Sequence, residues 1–96
     1  MRSGYSAKID KNQPGIVDDL RKKGYSVQSI AKEGHGCPDI IVGTGGLNFL
    51  FELKDPERGE PKLKPDQLSW HGEWQGQVSV ATSSEEIIKF ITMVLS

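Results

Sequence analysis

Residues 39–54 read DIIVGTGGLNFLFELK. This stretch contains two apolar runs joined by a glycine-containing turn, and it is the strongest fold signal in the chain. The first run, residues 39–43, is rich in β-branched side chains and predicts a buried strand. The second run, Leu47–Leu53, predicts another strand, and the short turn at residues 44–46 predicts that the two strands form a hairpin. A sheet built around this hairpin is therefore the expected centre of the molecule.

The segments around the hairpin show helical and strand periodicity in turn. Pro14 suits a first helical turn and Gly24 suits the residue after a helix ends. Further elements are expected at residues 13–23 (helix), 25–31 (strand), 65–74 (helix), 77–81 (strand) and 83–95 (helix, capped by Ser83), with a surface loop over residues 55–65. The predicted element order of this α/β chain is αβββαβα.

Length and composition favour one soluble domain spanning residues 1–96, since 96 residues leave no room for a second core. No apolar run is long enough for a membrane span, and the start of the chain lacks the apolar centre of a signal peptide. The single cysteine, Cys37, agrees with a reducing compartment. A cytoplasmic location is expected, or the host cytoplasm if the chain is phage-encoded.

Charge is distributed unevenly along the chain. Residues 1–32 hold seven Lys/Arg and three Asp, whereas residues 33–96 hold five Lys/Arg and ten Asp/Glu. This split can place a basic surface beside an acidic, cation-attracting centre. A solvated helix face carrying Arg21, Lys22 and Lys23 explains the basic half equally well.

Asp39, Glu52 and Lys54 are the charged residues of the two apolar runs. A buried ionised group needs a partner, a metal ion or a function, because an unpartnered one costs several kcal/mol. One reading is an ion pair between Lys54 and one carboxylate. That reading leaves one negative charge over, which a divalent cation such as Mg²⁺ or Mn²⁺ would balance.

Two other chemistries are weaker readings of the sequence. A zinc site could draw on His35, Cys37 and His71, but these residues lack the paired spacing of zinc ligands. A protease-like pair of Cys37 and His71 has even less to favour it. The glycines at residues 43–46 do not form a phosphate-binding P-loop, since no Gly-Lys-Ser/Thr follows them.

Three strings together resemble the PD-(D/E)XK nuclease signature in its VRR-NUC form: GCPDIIVG at residues 36–43, FLFELK at 49–54 and LKPDQ at 63–67. The resemblance runs from the first predicted helix to the last predicted strand. It implies a restriction-endonuclease-like core, with a mixed central sheet flanked by helices and the site at one sheet edge. The implied activity is Mg²⁺- or Mn²⁺-dependent endonucleolytic hydrolysis of DNA phosphodiester bonds.

The resemblance also implies roles for individual residues. Asp39 and Glu52 would hold the metal ion, helped by the main-chain carbonyl of Leu53. Lys54 would orient or deprotonate the attacking water, or stabilise charge on the phosphate, and Gln67 would support the site from its helix. Related nucleases often carry a glutamate ligand on the first helix, where this chain has Gln13 with Asp10 and Asn12 just upstream. The choice among these residues and the number of metal ions stay open.

Substrate and assembly follow from small size and from the same resemblance. Stand-alone members, which include phage and bacterial Holliday-junction-resolvase-like proteins, imply a homodimer that cuts branched DNA such as four-way junctions, leaving 5′-phosphate ends. Lys32, Arg58, Lys62 and Lys64 are candidates for contacting phosphates, with solvated loop charges as the competing explanation. Dimer contacts could come from Trp70, Trp74, Phe90, Ile91, Val94 and Leu95, each of which also suits a core. A nicking or general nuclease and a catalytically silent DNA-binding module are the alternative functions.

Overall fold

The computed structural model describes residues 11–96, which fold around a four-stranded mixed sheet with three α-helices. The expected α/β class and mixed sheet are therefore confirmed. In chain order the elements are α1 (Gln13–Lys22), β1 (Ser26–Ser29), β2 (Ile40–Thr44), β3 (Leu47–Leu53), α2 (Pro65–Glu73), β4 (Gln77–Ala81) and α3 (Ser84–Leu95), with 3₁₀ helices at Ala31–Glu33 and Pro56–Arg58.

The strands lie side by side in the order β1-β2-β3-β4. The first three are mutually antiparallel, and β4 runs parallel to β3. The predicted hairpin is confirmed, since Thr44 pairs with Leu47 across a two-residue turn. Gly45 and Gly46 both have positive φ in that turn, at 60° and 80°, which is the backbone a tight hairpin of this twist requires.

One face of the sheet forms the hydrophobic core and is called the core face below. Phe49 and Phe51 of β3 lie opposite Val42 and Ile40 of β2, so their side chains point to the same side. Helices α1 and α3 cover this face with their apolar stripes. The buried cluster consists of Ile16, Leu20, Val27, Ile40, Val42, Phe49, Phe51, Leu53, Ala81, Ile87 and Ile91.

The opposite face, called the site face below, is covered less completely. Leu50 and Glu52 alternate with the core residues of β3 and are themselves buried. Their neighbours Ile41, Val78 and Val80 are half-buried. Helix α2 lies on this side, because the Gln67 side chain on α2 reaches Glu52.

Several predicted boundaries were wrong, and the sheet explains most of them. The strand predicted over residues 25–31 ends at Ser29, because regular pairing with β2 stops at Ser29 and Ile40; one further hydrogen bond, from the Ile30 amide to the Asp39 carbonyl at 2.8 Å, follows it. Residues 31–33 form a 3₁₀ helix instead. The predicted loop at residues 55–65 contains the 3₁₀ helix Pro56–Arg58, which Asp55 caps by accepting a hydrogen bond from the Glu57 amide.

The residues considered for a dimer surface divide between the interior and the exterior. Ile91 is buried and Phe90 packs against the core cluster, with its ring edge-on to Phe49 and Phe51. Trp74, Val94 and Leu95 are exposed. Within residues 11–96, none of the helices has the length and apolar character needed to cross a membrane.

Candidate functional site

Asp39 lies immediately before β2 and is fixed by the end of β3. Its carboxylate oxygen Oδ2 accepts a 2.7 Å hydrogen bond from the Leu53 amide, and its own amide donates to the Phe51 carbonyl at 3.0 Å. Pro38 and Asp39 are both buried. The sequence predicted that Asp39 opens the strand; regular pairing begins one residue later, so Asp39 is placed at the strand end, where its side chain is held by main-chain contacts.

Glu52 and Lys54 lie two residues apart at the end of β3. The Lys54 Nζ atom is 3.3 Å from Glu52 Oε2, so the ion pair considered from the sequence is present. Glu52 is only 4% exposed. Its second oxygen, Oε1, is buried without a hydrogen-bond partner in the described part of the chain. The lysine therefore contacts one oxygen of this carboxyl group, and the Asp39 carboxyl group is a further close neighbour of Glu52.

Gln67 connects helix α2 to both of these charged residues. Its Nε2 donates to Glu52 Oε2 at 3.0 Å, while its Oε1 accepts from Lys54 Nζ at 3.0 Å. The same oxygen accepts from the Lys64 amide at 2.8 Å, which closes the first turn of the helix. Because the amide group donates on one side and accepts on the other, its orientation is fixed, and the predicted contact of Gln67 with the site is present.

The loop before Asp39 holds α2 close to the site. Gly36 has a φ of 89°, and a Cβ atom there would clash with the Asp66 carbonyl group. Only glycine permits this approach and this backbone conformation together. The glycine-rich loop thus sets the distance between the start of α2 and the end of the sheet.

Burial gives Glu52 unusual protonation chemistry. Loss of hydration raises the pKa of its carboxyl group to about 8, and the negative charge of Asp39 acts in the same direction. Lys54 opposes both effects with its positive charge and hydrogen bond. Because Asp39 and Glu52 are close, ionisation of both carboxyl groups is unfavourable. Binding of a proton or of another cation by the pair is therefore favourable.

The start of α1 lies at the same end of the sheet. Asn12 donates through Nδ2 to the carbonyls of Lys54 and Thr82, at 3.0 and 3.3 Å. Gln13 is 4% exposed and donates to the Ser29 hydroxyl at 3.2 Å. The Oε1 atom of Gln13 is buried and accepts no hydrogen bond from residues 11–96. Asp10, the other sequence candidate here, lies outside the described residues.

His71 belongs to this neighbourhood, although the sequence suggested it only for zinc or protease chemistry. It follows Gln67 by one helical turn, and its Nε2 atom is buried with no hydrogen-bond partner within the described range. Burial lowers the pKa of His71, and the charge of Lys54 lowers it further. Its spacing of four residues from Gln67 is the signal that could have identified it.

Cys37 does not have the properties of a nucleophile. Burial raises the pKa of its thiol, as do the negative charges of Glu33, Glu52 and Asp39. A protonated thiol is a poor nucleophile and a poor metal ligand. No group of three or more His, Cys, Asp or Glu side chains placed to hold a metal ion occurs among residues 11–96. A cation site here would need main-chain and amide oxygens besides its two carboxylates.

The candidate DNA-contacting residues lie on the two 3₁₀ helices and on the segment before α2. Lys32 lies on the first 3₁₀ helix and Arg58 on the second, while Lys62 and Lys64 precede α2; all four are exposed. The basic residues of α1 are engaged locally, as Lys22 pairs with Asp18 at 3.1 Å and Lys23 with Asp19 at 2.6 Å. Arg21 donates to the Val27 carbonyl at 2.8 Å.

Comparison of this chain with protein-family models, with curated proteins and with solved structures finds no match.

Proposed function

We propose that the protein is a divalent-metal-dependent endonuclease of the PD-(D/E)XK type, with a restriction-endonuclease-like core and a VRR-NUC-like site. The observation that carries the proposal is the convergence of Asp39, Glu52, Lys54 and Gln67 at one end of the sheet, with Glu52 Oε1 left unpartnered. Two carboxylates and a lysine held this way match the needs of phosphodiester hydrolysis.

The residues present fit a hard divalent cation such as Mg²⁺ or Mn²⁺. Asp39 and Glu52 offer carboxylate oxygens, and the buried, unpartnered Oε1 atoms of Glu52 and Gln13 are acceptors without donors in residues 11–96. The Leu53 amide points to Asp39, and since a strand residue directs its N–H and C=O to the same side, the Leu53 carbonyl is a further candidate ligand. A bound Mg²⁺ or Mn²⁺ ion would supply Lewis-acid polarisation of the phosphate and a more acidic water.

The chain's own residues supply orientation and charge. Lys54 is held between Gln67 Oε1 and Glu52 Oε2, so its ammonium group is fixed next to the carboxylates. An ammonium in that position stabilises negative charge that develops on the phosphate oxygens. Gln67 acts as a positioning residue, because it contacts both Glu52 and Lys54 and is itself fixed by the Lys64 amide.

The substrate we propose is DNA, preferentially branched DNA, cut by a homodimer. A domain of this size with one site needs two copies to cut both strands. Lys32, Arg58, Lys62 and Lys64 are exposed and can bind phosphates without reading the sequence. A nicking or general nuclease without junction preference would use the same site chemistry.

A silent binding module is the second candidate, and the Lys54–Glu52 ion pair is the observation that favours it. An ion pair plus a proton shared between Asp39 and Glu52 would neutralise the cluster without a metal ion. The unpartnered Glu52 Oε1 and the hydrogen bond that fixes Lys54 to Gln67 as well as to Glu52 favour the nuclease, because a simple ion pair has no need of either.

The first test is cleavage of a labelled four-way junction and a matched linear duplex with Mg²⁺, Mn²⁺ or EDTA. We expect metal-dependent cleavage by the native chain, loss of cleavage in Asp39→Asn, and a reduction of about 10²–10³-fold in Lys54→Ala. Asp18→Asn is the matched control, since Asp18 is an exposed carboxylate paired with Lys22 on α1.

Paired incisions on the junction alone would favour the resolvase-like reading, and equal cutting of both substrates would favour a general nuclease. Junction binding without cleavage under any metal condition would leave the silent binding module. Cleavage that survives Asp39→Asn would show that the nuclease site lies elsewhere.

A further inference from the structure

The two tryptophans of the chain form one stacked unit at the C-terminal end of helix α2, where Trp74 is the residue that follows the helix. Their ring centroids are 4.5 Å apart and their planes differ by 19°. Trp74 is 46% exposed, whereas Trp70 is half-buried. Face-to-face rings at this distance leave no room for a third ring between them, so only the outer surface of the pair is available to a ligand.

The exposed ring is held in place from one edge. At Gly76, an added Cβ atom would lie 2.9 Å from Trp74 Nε1, so the chain after α2 passes directly against the indole. This contact and the stack on Trp70 restrict the orientation of Trp74. Its ring is therefore an exposed aromatic surface with little freedom to lose on binding.

The aromatic pair is on the helix that contacts the candidate active site. Trp70 and Trp74 follow Gln67 by three and seven residues, so they lie on the same side of α2. The rise of an α-helix places them about 4.5 and 10.5 Å farther along the axis than Gln67. A nucleic-acid strand with about 3.4 Å between stacked bases would reach Trp74 within roughly three nucleotides of the site.

Size and charge indicate which ligand this surface suits. Trp74 exposes roughly 115 Å², taking about 250 Å² for a whole Trp side chain, and the half-buried Trp70 adds less than that, whereas each partner of a stable protein interface contributes about 800 Å². Asp66 and Glu73 are exposed on the adjoining flank of α2 and repel a phosphate backbone, while Lys62 and Lys64 precede the helix and attract one. An uncharged aromatic ring meets these conditions better than a protein surface or a phosphate.

We propose that Trp70 and Trp74 form a platform on which an unpaired nucleobase of the DNA substrate stacks, two to three nucleotides from the bond that is cut. This rests on the proposed nuclease function and deepens it. Bases inside a duplex have both faces covered by their neighbours, and only an unpaired base offers a free face to a protein side chain. The platform therefore selects DNA with unpaired bases, as at branch points, flaps and single-stranded ends.

Intrinsic fluorescence tests the binding step directly, because both tryptophans belong to the platform. The native chain is titrated in EDTA with a single-stranded oligonucleotide and with the duplex of the same sequence. We expect saturable quenching by the single strand and at least tenfold weaker quenching by the duplex. Trp74→Leu should weaken single-strand binding by about tenfold or more, whereas Leu68→Ala, which removes an exposed side chain from the same helix, should not.

Cleavage of flapped DNA in Mg²⁺ tests the placement of the platform. Abasic sites are introduced singly at each of the first five unpaired positions next to the cut. Native chain should show a tenfold or greater loss of kcat/KM at one position two to three nucleotides away, and in Trp74→Leu that penalty should disappear. Circular dichroism and thermal denaturation confirm that the variant is folded.

The outcomes separate this proposal from the nuclease function. Cleavage without quenching, or an abasic penalty unchanged in Trp74→Leu, would overturn the platform and leave the nuclease. Quenching and a Trp74→Leu binding defect in a chain that cuts nothing would keep the platform and overturn the nuclease. A folded Trp74→Leu variant that sediments as a smaller species than the native chain, with single-strand affinity unchanged, would make the indoles a protein interface and overturn the proposal.

Discussion

The two faces of the sheet differ in what they bury: one buries only apolar side chains, and the other also buries a carboxyl group. The core face buries Phe49, Phe51 and Leu53 beneath α1 and α3, all of them nearly inaccessible to solvent. The site face buries a carboxyl group, Glu52, and leaves one of its oxygens without a hydrogen-bond partner in the described chain. The core face therefore stabilises the fold. The site face keeps a buried polar group that lowers stability, and such a group is expected where a ligand binds.

Truncating one leucine on each face to alanine should produce the largest difference in unfolding free energy. Leu53→Ala on the core face is expected to lower the free energy of unfolding by about 4 kcal/mol, because the cavity is closed on all sides. Leu50→Ala on the site face should cost about 2 kcal/mol, since its half-buried neighbours can relax into the space. Urea denaturation of both variants measures this. Equal losses would contradict the idea that the site face is less tightly packed.

Stability should depend on pH through Glu52. The folded chain binds the Glu52 proton more tightly than the unfolded chain, so stability is full below pH 4.5 and falls as the pH rises to about 8. The loss is on the order of 5 kcal/mol over that window. Denaturation at pH 5, 7 and 9 measures it, with Glu52→Gln as the variant that should flatten the profile.

The same denaturation experiment with added Mg²⁺ tests whether the ion binds at Glu52. If the ion competes with the Glu52 proton, its stabilising effect on the native chain should be greater at pH 8 than at pH 6, and it should vanish in Glu52→Gln. An Mg²⁺ effect equal at both pH values would contradict binding at this carboxyl group. Glu85→Gln on α3 controls for nonspecific ion effects, since Glu85 is exposed and distant in the chain from the site.

Gly36→Ala should affect the site face more than the core face. The added methyl group would meet the Asp66 carbonyl, and the positive φ at residue 36 disfavours any side chain. We expect a loss of about 2 kcal/mol in unfolding free energy and a larger relative loss of the proposed nuclease activity, because the start of α2 must move away from Glu52. Gly15→Ala is the control, since nothing lies within 4 Å of a Cβ there. Full activity in a folded Gly36→Ala variant would show that the position of α2 does not affect the activity of the site.

Substitutions at the N-termini of α3 and α2 should have the smallest effects on stability. Ser83 caps α3 by accepting from the Glu86 amide at 3.2 Å, and Gln67 closes the first turn of α2 through the Lys64 amide. Ser83→Ala should cost about 1 kcal/mol and leave activity intact. Gln67→Ala should cost a similar amount of stability but reduce activity about 10- to 100-fold, because it also releases Glu52 and Lys54. Steady-state cleavage with parallel thermal denaturation distinguishes the two.

Much of the fold could be predicted from local sequence. The hairpin of β2 and β3 follows from two apolar runs around Gly45 and Gly46, and β4 at residues 77–81 has the predicted bounds. Ends that depend on a partner strand could not be read in this way. Ser29 ends β1 because β2 begins opposite it, and that pairing joins residues far apart in the chain.

The charged residues of the site and their positions along each strand can be read directly from the sequence: Asp39 before β2, and Glu52 and Lys54 two apart near the end of β3. The contacts of Gln67 with Glu52 and Lys54, and the closeness of His71 to Lys54, depend instead on how α2 packs against the sheet. The physical reason is that periodicity reports the direction of a side chain within its own element, whereas burial and hydrogen bonding depend on which elements pack together.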